Sequence, residues 1–248
     1  MKNSTSKQFP KQRIILVVLL FISYFIAIMG NTITGSASFP AEFYQNENIS
    51  WEIDNISSGT TTWYNMSDYS TISTWYANKS DIITFNITDW KQISEQNYLL
   101  GDLSLGNLTI TTDNQDIGFN LVLSIYPWYG GLIALEQDWN GLSGITPFTG
   151  NMYVEINYDK LVTVLNQRVE AIEIIYDEGL QKTNLIYEPI TGILLSANTT
   201  FGSFWLQMHL NSSTVPLPSV SQSIGFKSFI VISSMGVAIL LLKKKRIT

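Results

Sequence analysis

The sequence contains no cysteine and only one histidine, His209, among its 248 residues. The absence of cysteine excludes disulfides, thiol nucleophiles and thiolate metal sites. A single histidine also excludes a metal site built from several imidazoles. The sequence therefore predicts neither a metal ion nor another cofactor. We expect a domain that is stabilised by its apolar core alone.

Positive charge is scarce in the middle of the chain. Residues 39–223 contain twenty acidic and five basic side chains, a net charge of −15, whereas the whole chain carries −6. The remaining nine basic residues lie within or beside two apolar runs at the chain ends. Nucleic-acid binding requires a basic face, so this distribution excludes nucleic acid as a partner.

The longest apolar run lies near the C-terminus and extends from Ile224 to Leu242, with one charge at Lys227. A run of this length can cross a bilayer as a helix. A stop-transfer cluster follows it directly: Lys243, Lys244, Lys245 and Arg246. Basic residues after an apolar span mark the cytoplasmic side. We therefore expect a transmembrane helix at residues 224–242, a cytoplasmic tail at 243–248, and a domain outside the cell membrane.

A second apolar run, Ile14 to Met29, follows a basic N-terminal stretch that contains no acidic residue. This order is typical of an export signal. The run is slightly long for a signal peptide and slightly short for a membrane span. Residues 1–38 are therefore interpreted as a cleaved signal peptide or a retained anchor, and both interpretations place the central segment of the chain outside the membrane.

Asn-x-Ser/Thr sequons are frequent, and eight of the nine lie in the segment expected outside the membrane. In an exported protein such sequons are acceptors for N-glycosylation. The alternative is that an Asn- and Thr-rich β sequence produces them by accident. The predicted glycosylation sites are Asn48, Asn55, Asn65, Asn78, Asn86, Asn107, Asn198 and Asn211.

Alternating polar and apolar residues predict a mainly β fold for residues 39–211. We expect about nine to eleven mostly antiparallel strands in one β-sandwich or one curved half-barrel sheet, flanked by the two helical apolar segments. The strand phase predicts that Trp51, Phe85, Ile87 and Ile110 are buried. The same phase places the sequon residues Asn48, Asn86, Asn107 and Asn198 in solvent.

Several local assignments carry the strand prediction. Ile117–Ile125 has the most regular alternation and is predicted as a strand, after a turn at Asp113–Asp116. Leu99–Thr112 alternates more loosely and is predicted as strand, with interruptions at Gly101 and Gly106. Asp159–Gln167 fits a short helix or a strand. Residues 212–223, which contain Pro216 and Pro218, are expected to form a polar stalk.

Pro189 and Gly192 predict a structural turn within Tyr187–Leu194, because proline fixes φ and glycine permits a positive φ. This stretch resembles the Tyr-Asp-x-x-Thr-Gly-[Ile/Val]-Leu hairpin of exported LolA-like proteins and of many archaeal surface proteins, with Glu188-Pro189 in place of the usual Asp and its successor. The resemblance implies a curved antiparallel sheet. The C-terminal segment resembles the PGF-CTERM archaeal anchor, with Gly225-Phe226, an apolar span and a basic end. Ile224 replaces the motif's proline, which favours a retained helix over processing.

A repeated Thr-Trp-Tyr tripeptide is the main candidate for ligand binding. Trp63-Tyr64 recurs as Trp75-Tyr76, twelve residues further on. If the rings of one pair face water, they form an aromatic platform for a sugar or a partner surface. The alternative is a cross-strand aromatic pair in the core.

Signals for catalysis are weak. His209 would have to serve any Ser-His-Asp arrangement, but no nucleophile-elbow motif accompanies it, so a solvent-facing strand residue is favoured. Asp113, Asn114 and Asp116 are too few and too closely spaced for an EF-hand calcium loop.

The sequence thus favours a membrane-anchored, acidic, N-glycosylated cell-surface protein with a non-enzymatic binding, adhesion or envelope role. Its expected partners are the bilayer and an extracellular protein, glycan or apolar ligand. One alternative is a carrier or sensor that holds an apolar ligand in a curved sheet. A second is a surface hydrolase that uses paired carboxylates, or His209 beside a serine.

Overall fold

The computed structural model describes residues 40–93, 96–135, 141–142, 145 and 153–219. Both terminal apolar runs and the stop-transfer cluster Lys243–Arg246 lie outside the described residues. Within the described part, no helix combines the length and the apolar character needed to cross a membrane.

Strands make up most of the described chain. A short 3-10 helix, Ala41–Tyr44, precedes them, and one α-helix, α1 (Asn114–Asn120), follows the sixth strand. The strands are β1 (Asn48–Ile56), β2 (Thr61–Tyr64), β3 (Thr71–Trp75), β4 (Ile82–Ile93), β5 (Gln96–Leu105), β6 (Leu108–Asp113), β7 (Tyr153–Val164), β8 (Gln167–Asp177), β9 (Gln181–Tyr187), β10 (Leu194–Phe201) and β11 (Phe204–Ser213).

Nine of these strands form one sheet in the order β6-β5-β4-β1-β11-β10-β9-β8-β7, and β2 and β3 form a separate hairpin. Every neighbouring pair is antiparallel. The predicted mainly β, antiparallel fold is therefore confirmed. The sandwich alternative is not, because the hydrogen bonds join nine strands into one sheet.

Strand β1 is the fourth of the nine strands and joins β4, from the N-terminal half of the chain, to β11, from its C-terminal half. Trp51 pairs with Ile83 of β4 and with Leu210 of β11. These side chains are buried on one side of the sheet, the core face, while Glu52 and Asp54 point to the opposite side, the outer face. The predicted phase is confirmed for Trp51, and also for Phe85 and Ile87, all of which are 0% exposed. Ile110 is only partly buried.

The chain then crosses the molecule from one edge of the sheet to the other, between β6 and β7. The crossing begins with α1, so the predicted strand at Ile117–Ile125 and the predicted turn at Asp113–Asp116 are wrong. The Asp113 carboxylate accepts hydrogen bonds from the amides of Gln115 and Asp116 at 3.0 and 2.9 Å and thereby caps the helix. Ile117 and Leu121 are buried one helical turn apart, and this spacing imitates a strand.

Three further assignments differ from the sequence analysis. Leu99–Thr112 is a hairpin, β5–β6, because Gly106 adopts a positive φ of 56° at the turn. The ambiguous segment Asp159–Gln167 forms the end of β7 and its turn into β8. The expected stalk begins later than residue 212, since β11 continues to Ser213 and both Val215 and Leu217 are buried.

Candidate functional site

The eight sequons from Asn48 to Asn211 all lie among the described residues, and their asparagines reach the surface. Asn48 and Asn65 are half-buried and the other six are exposed. Asn48 and Asn86 face each other across β1 and β4, while Asn55 and Asn198 both pair with Gln207 of β11. No sequon lies between Asn107 and Asn198, so the strands β7, β8 and β9 carry none.

The two Trp-Tyr dipeptides divide between the core and the surface. Trp63 and Trp75 are 0% and 1% exposed, whereas Tyr64 and Tyr76 are exposed. Trp63 pairs with Ser73 and Trp75 with Thr61, so the two tryptophans are not direct cross-strand partners. The buried tryptophans are therefore core residues, and only the tyrosines are accessible to a ligand.

An aromatic surface nevertheless forms where the β2–β3 hairpin meets α1. The rings of Tyr69 and Phe119 pack edge to face with centroids 6.0 Å apart, and both rings are exposed. The exposed Tyr64 belongs to the same hairpin. We call Tyr64, Tyr69 and Phe119 the hairpin surface. Phe119 is absent from the sequence-based candidates, because the alternation of its segment indicates a strand.

Two polar residues of α1 fix the hairpin beneath this surface. The Asn120 side chain accepts from the amide of Tyr64 and donates to its carbonyl, each at 2.8 Å, as a neighbouring strand would. The Asp116 carboxylate accepts from the amide of Met66 at 3.0 Å. Burial, aided by the charge of Asp113, raises the pKa of Asp116. The exposed rings are thus presented on a backbone that is anchored to the rest of the domain.

The predicted turn at Pro189 and Gly192 lies at the centre of a buried network. Gly192 has a φ of +66°, and a Cβ there would lie 1.9 Å from the carbonyl oxygen of Ala134. The Gly192 carbonyl accepts from the amide of Ala134 at 2.8 Å, and Ile193 bridges to Ile133. The turn therefore holds the crossing segment on the sheet, which is a structural role.

Glu188 closes this turn from within. Its carboxylate accepts from the amide of Ile190 and from both the amide and the hydroxyl of Thr191, and the side chain is buried. Burial raises the pKa of Glu188 despite these hydrogen bonds. The Tyr44 hydroxyl donates to the Thr191 carbonyl, and burial followed by the Glu188 charge raises the pKa of Tyr44.

His209 lies on the outer face beside a carboxylate and a serine. Its Nδ1 is 3.0 Å from each carboxylate oxygen of Asp54, and Ser196 is its direct partner on β10. Ser196 and His209 line an open groove of about 470 Å³, which the tip of the β7–β8 hairpin borders. The Asp54 and His209 side chains are 48% and 44% exposed, so this pair is solvated.

A second polar cluster lies on the outer face of β7, β8 and β9. The Glu173 carboxylate binds the Lys160 ammonium and accepts from the side-chain amides of Asn184 and Asn157 at 3.1 and 3.3 Å. The pKa of Glu173 is lowered, and the hydrogen bond from Lys160 is the largest cause. Asn157 also donates to Glu155 of its own strand at 3.0 Å. Glu173 of β8 therefore contacts two residues of the edge strand β7, Lys160 and Asn157.

No protein-family model matches this chain, and a comparison with curated proteins finds no match. Among the described residues, no cluster of three or more potential ligands could hold a metal ion.

Proposed function

We propose that this chain is a membrane-anchored, acidic, N-glycosylated cell-surface protein whose β domain binds an extracellular partner without catalysing a reaction. The terminal apolar segments provide export and anchoring, and the nine-stranded sheet is a curved half-barrel of the type that the Tyr187–Leu194 resemblance implies. The single observation that carries the proposal is the surface position of the eight exterior sequon asparagines. Glycosylation requires this position, because a glycan cannot be buried in the core.

Glycosylation and topology can be tested together on intact cells that express the full chain. We expect added protease to degrade the segment Glu42–Ser212 and to spare a tag placed after residue 248. Peptide mass spectrometry should find glycans on the exterior sequons and none on Asn3. A protected β domain would overturn the proposal.

The hairpin surface is the binding site that we favour. Tyr64, Tyr69 and Phe119 are exposed, and Asn120 and Asp116 hold the backbone around them. Exposed rings on a fixed backbone bind sugars or protein surfaces with little loss of side-chain entropy. Tyr69→Ala should abolish binding to a glycan array or to neighbouring cells. Tyr126→Ala, at a ring that is 76% exposed but lies in the crossing segment, should leave binding intact.

A surface hydrolase is the second candidate, because Asp54, His209 and Ser196 lie together beside a groove. Two features weigh against it. The Asp54–His209 pair is solvated, whereas the acid of a Ser-His-Asp triad is buried. Ser196 also lies within a ladder between β9 and β11, where strand pairing occupies the backbone amides that an oxyanion hole would need. We expect His209→Ala to leave any hydrolysis within a few-fold of wild type; a loss of about a hundredfold with intact folding would favour the hydrolase.

The apolar-ligand carrier receives less support. Bulky side chains fill the core face of the sheet, where such a ligand would lie. Trp51, Trp63, Trp75 and Trp128 are all essentially unexposed.

A further inference from the structure

The strand β7 is an open edge with an unusual surface. It is twelve residues long, lies at the end of the sheet and pairs only with β8 among the described residues. The exposed fractions of Tyr153, Tyr158 and Leu161 are 52%, 59% and 48%. A long edge strand with exposed apolar side chains is a template for pairing with another strand.

Two of the three charged side chains of β7, Glu155 and Lys160, are engaged within the domain. The Lys160 ammonium binds Glu173 of β8, and Glu155 accepts from Tyr153 and Asn157 of its own strand. Lysine on an edge strand opposes edge-to-edge pairing when it is free to face the incoming strand. The neighbouring strands also carry no sequon, so no glycan would shield this side of the sheet.

A bulge divides β7 into two short segments. The pairing with β8 shifts between Asn157 and Lys160, where β7 contains one extra residue. Glu155 before the bulge and Lys160 after it therefore face the same side of the sheet, although they are five positions apart. Without the bulge an odd separation would place them on opposite sides.

This arrangement is self-complementary. A two-fold axis normal to the sheet would bring the first segment, Tyr153–Asn157, antiparallel to the second segment, Lys160–Val164, of another copy. One register then places Glu155 opposite Lys160 and Tyr153 opposite Val162, twice each. Opposite charges and aromatic–aliphatic pairs across antiparallel strands are favourable contacts. A closed two-fold pairing of this kind also uses the same patch on both copies.

We infer that β7 is a homotypic interface through which two copies of this chain join their sheets edge to edge. The interface is distinct from the hairpin surface. It depends on strand geometry and not on the proposed binding function, so it can be tested in protein that carries no glycan.

The absence of natural cysteine allows a direct test by disulfide trapping of the full chain in detergent, made in a host without N-glycosylation. The double variant Glu155→Cys with Lys160→Cys should form a covalent dimer under mild oxidation, because residues directly opposite on antiparallel strands can form disulfides. Each single variant should remain largely monomeric. A second double variant, Tyr153→Cys with Val162→Cys, preserves the Lys160–Glu173 contact and should also form the dimer.

The matched control is Thr109→Cys with Thr111→Cys, two exposed positions on the opposite edge strand β6, and it should remain monomeric. Light scattering of the wild type should give twice the chain mass of 27.9 kDa. A monomer by light scattering with no trapped dimer in either pair would overturn the inference. So would equal trapping of the single variants or of the control, which would indicate random collision. Slow amide exchange at β7 in a monomer would show that the chain covers its own edge, and would also overturn it.

Discussion

The two edges of the nine-stranded sheet are built differently. The strand β6 has six residues and continues directly into the capped helix α1, and the turn before it is held to the β2–β3 hairpin by the amide of Tyr76, which donates to the Asn107 side chain at 2.8 Å. The strand β7 has twelve residues, exposes large apolar side chains and has no strand beyond it in the part of the chain that the structure describes. A short edge strand offers few unpaired backbone groups to another strand. A long, open edge strand offers many, so it must either be protected from pairing or pair with another strand. The difference makes β7, and not β6, the edge at which another strand could be added to this sheet.

A matched deletion of two aromatic rings should reveal this difference in stability. Phe85 on β4 is fully buried in the half of the sheet that ends at β6, and Tyr158 on β7 is 59% exposed. Phe85→Ala should lower the free energy of unfolding by about 3–5 kcal/mol, because it leaves a cavity in the core. Tyr158→Ala should change it by less than about 0.5 kcal/mol. Urea unfolding of both variants measures the two values.

Equal losses would contradict the comparison, since they would mean that β7 is as deeply packed as β4. The reverse order would mean that the register of β4 is wrong by one residue, with Phe85 in solvent. The dimer must be dissociated before unfolding by working at low protein concentration, because association would stabilise the folded state.

The coverage of the core face next to β6 depends on one buried amide. The Asn114 side chain donates to the carbonyls of Gly130 and Ile133 and accepts from the amides of Leu132 and Ile133, at 2.6–3.1 Å. Asn114→Ala would leave these buried backbone groups without partners, so we expect a loss of at least about 2 kcal/mol. Gln92→Ala, at an exposed residue of β4, serves as the control and should be nearly neutral. A neutral Asn114→Ala would show that the crossing segment is held by other contacts.

Glu188 and Glu173 should make the stability of the folded protein depend on pH in opposite directions. Burial raises the pKa of Glu188 in the turn, so its contribution to stability is present below the ordinary value of 4.5 and is lost as the pH rises through its pKa in the folded protein. The Lys160 hydrogen bond lowers the pKa of Glu173 beside β7, so its contribution is present above 4.5 and is lost as the pH falls through its folded pKa.

Unfolding free energies measured on both sides of pH 4.5 test this pair. Relative to wild type, Glu188→Gln should remove a decline in stability with rising pH, and Glu173→Gln should remove a decline with falling pH. Only the slopes are compared, because each substitution also changes a hydrogen bond in a pH-independent way. Slopes of the same sign would contradict the assignments.

Much of the sheet could be predicted from the sequence because strands with one wet face alternate. The strands β1, β4, β9, β10 and β11 follow this pattern over most of their length, and the sequon residues agree with it on which side is in solvent. The strand β8 does not, because Ala171, Ile172, Glu173 and Ile174 are all buried. The prediction failed at α1 and the loop after it, where Ile117, Leu121, Leu123 and Ile125 are separated by even numbers of residues for two separate reasons. The first pair lies on one face of a helix, and the later residues lie in a loop that packs on the sheet. Alternation alone cannot separate these cases, but Asp113 followed by a helical repeat was an available capping signal.

The candidate site was less predictable than the fold. Tyr64 could be identified as exposed by its alternation with Trp63, but Tyr69 and Phe119 come from distant parts of the chain and meet only through tertiary packing. The roles of Asn120 and Asp116 are equally invisible, because a polar residue that bonds a remote backbone has no local pattern. The second half of the open edge β7 is ambiguous in the sequence, since an edge strand with two partly exposed faces lacks regular alternation.

Moving a glycan should have the smallest effect on stability. It should also distinguish the edge strand β7 from the half of the sheet that ends at β6. Asn86→Gln removes a sequon from the exposed outer side of β4, and Asp159→Thr creates one at Asn157 on β7. Both substitutions are at exposed positions, so each should change the unfolding free energy by less than about 0.5 kcal/mol in protein without glycans. In a glycosylating host, Asp159→Thr should abolish the dimer because the new glycan occupies the edge, whereas Asn86→Gln should leave it unchanged. The same Asp159→Thr protein made without glycosylation is the matched control and should still dimerise. A glycan verified on Asn157 by mass spectrometry, together with an intact dimer, would place the contact elsewhere on the molecule.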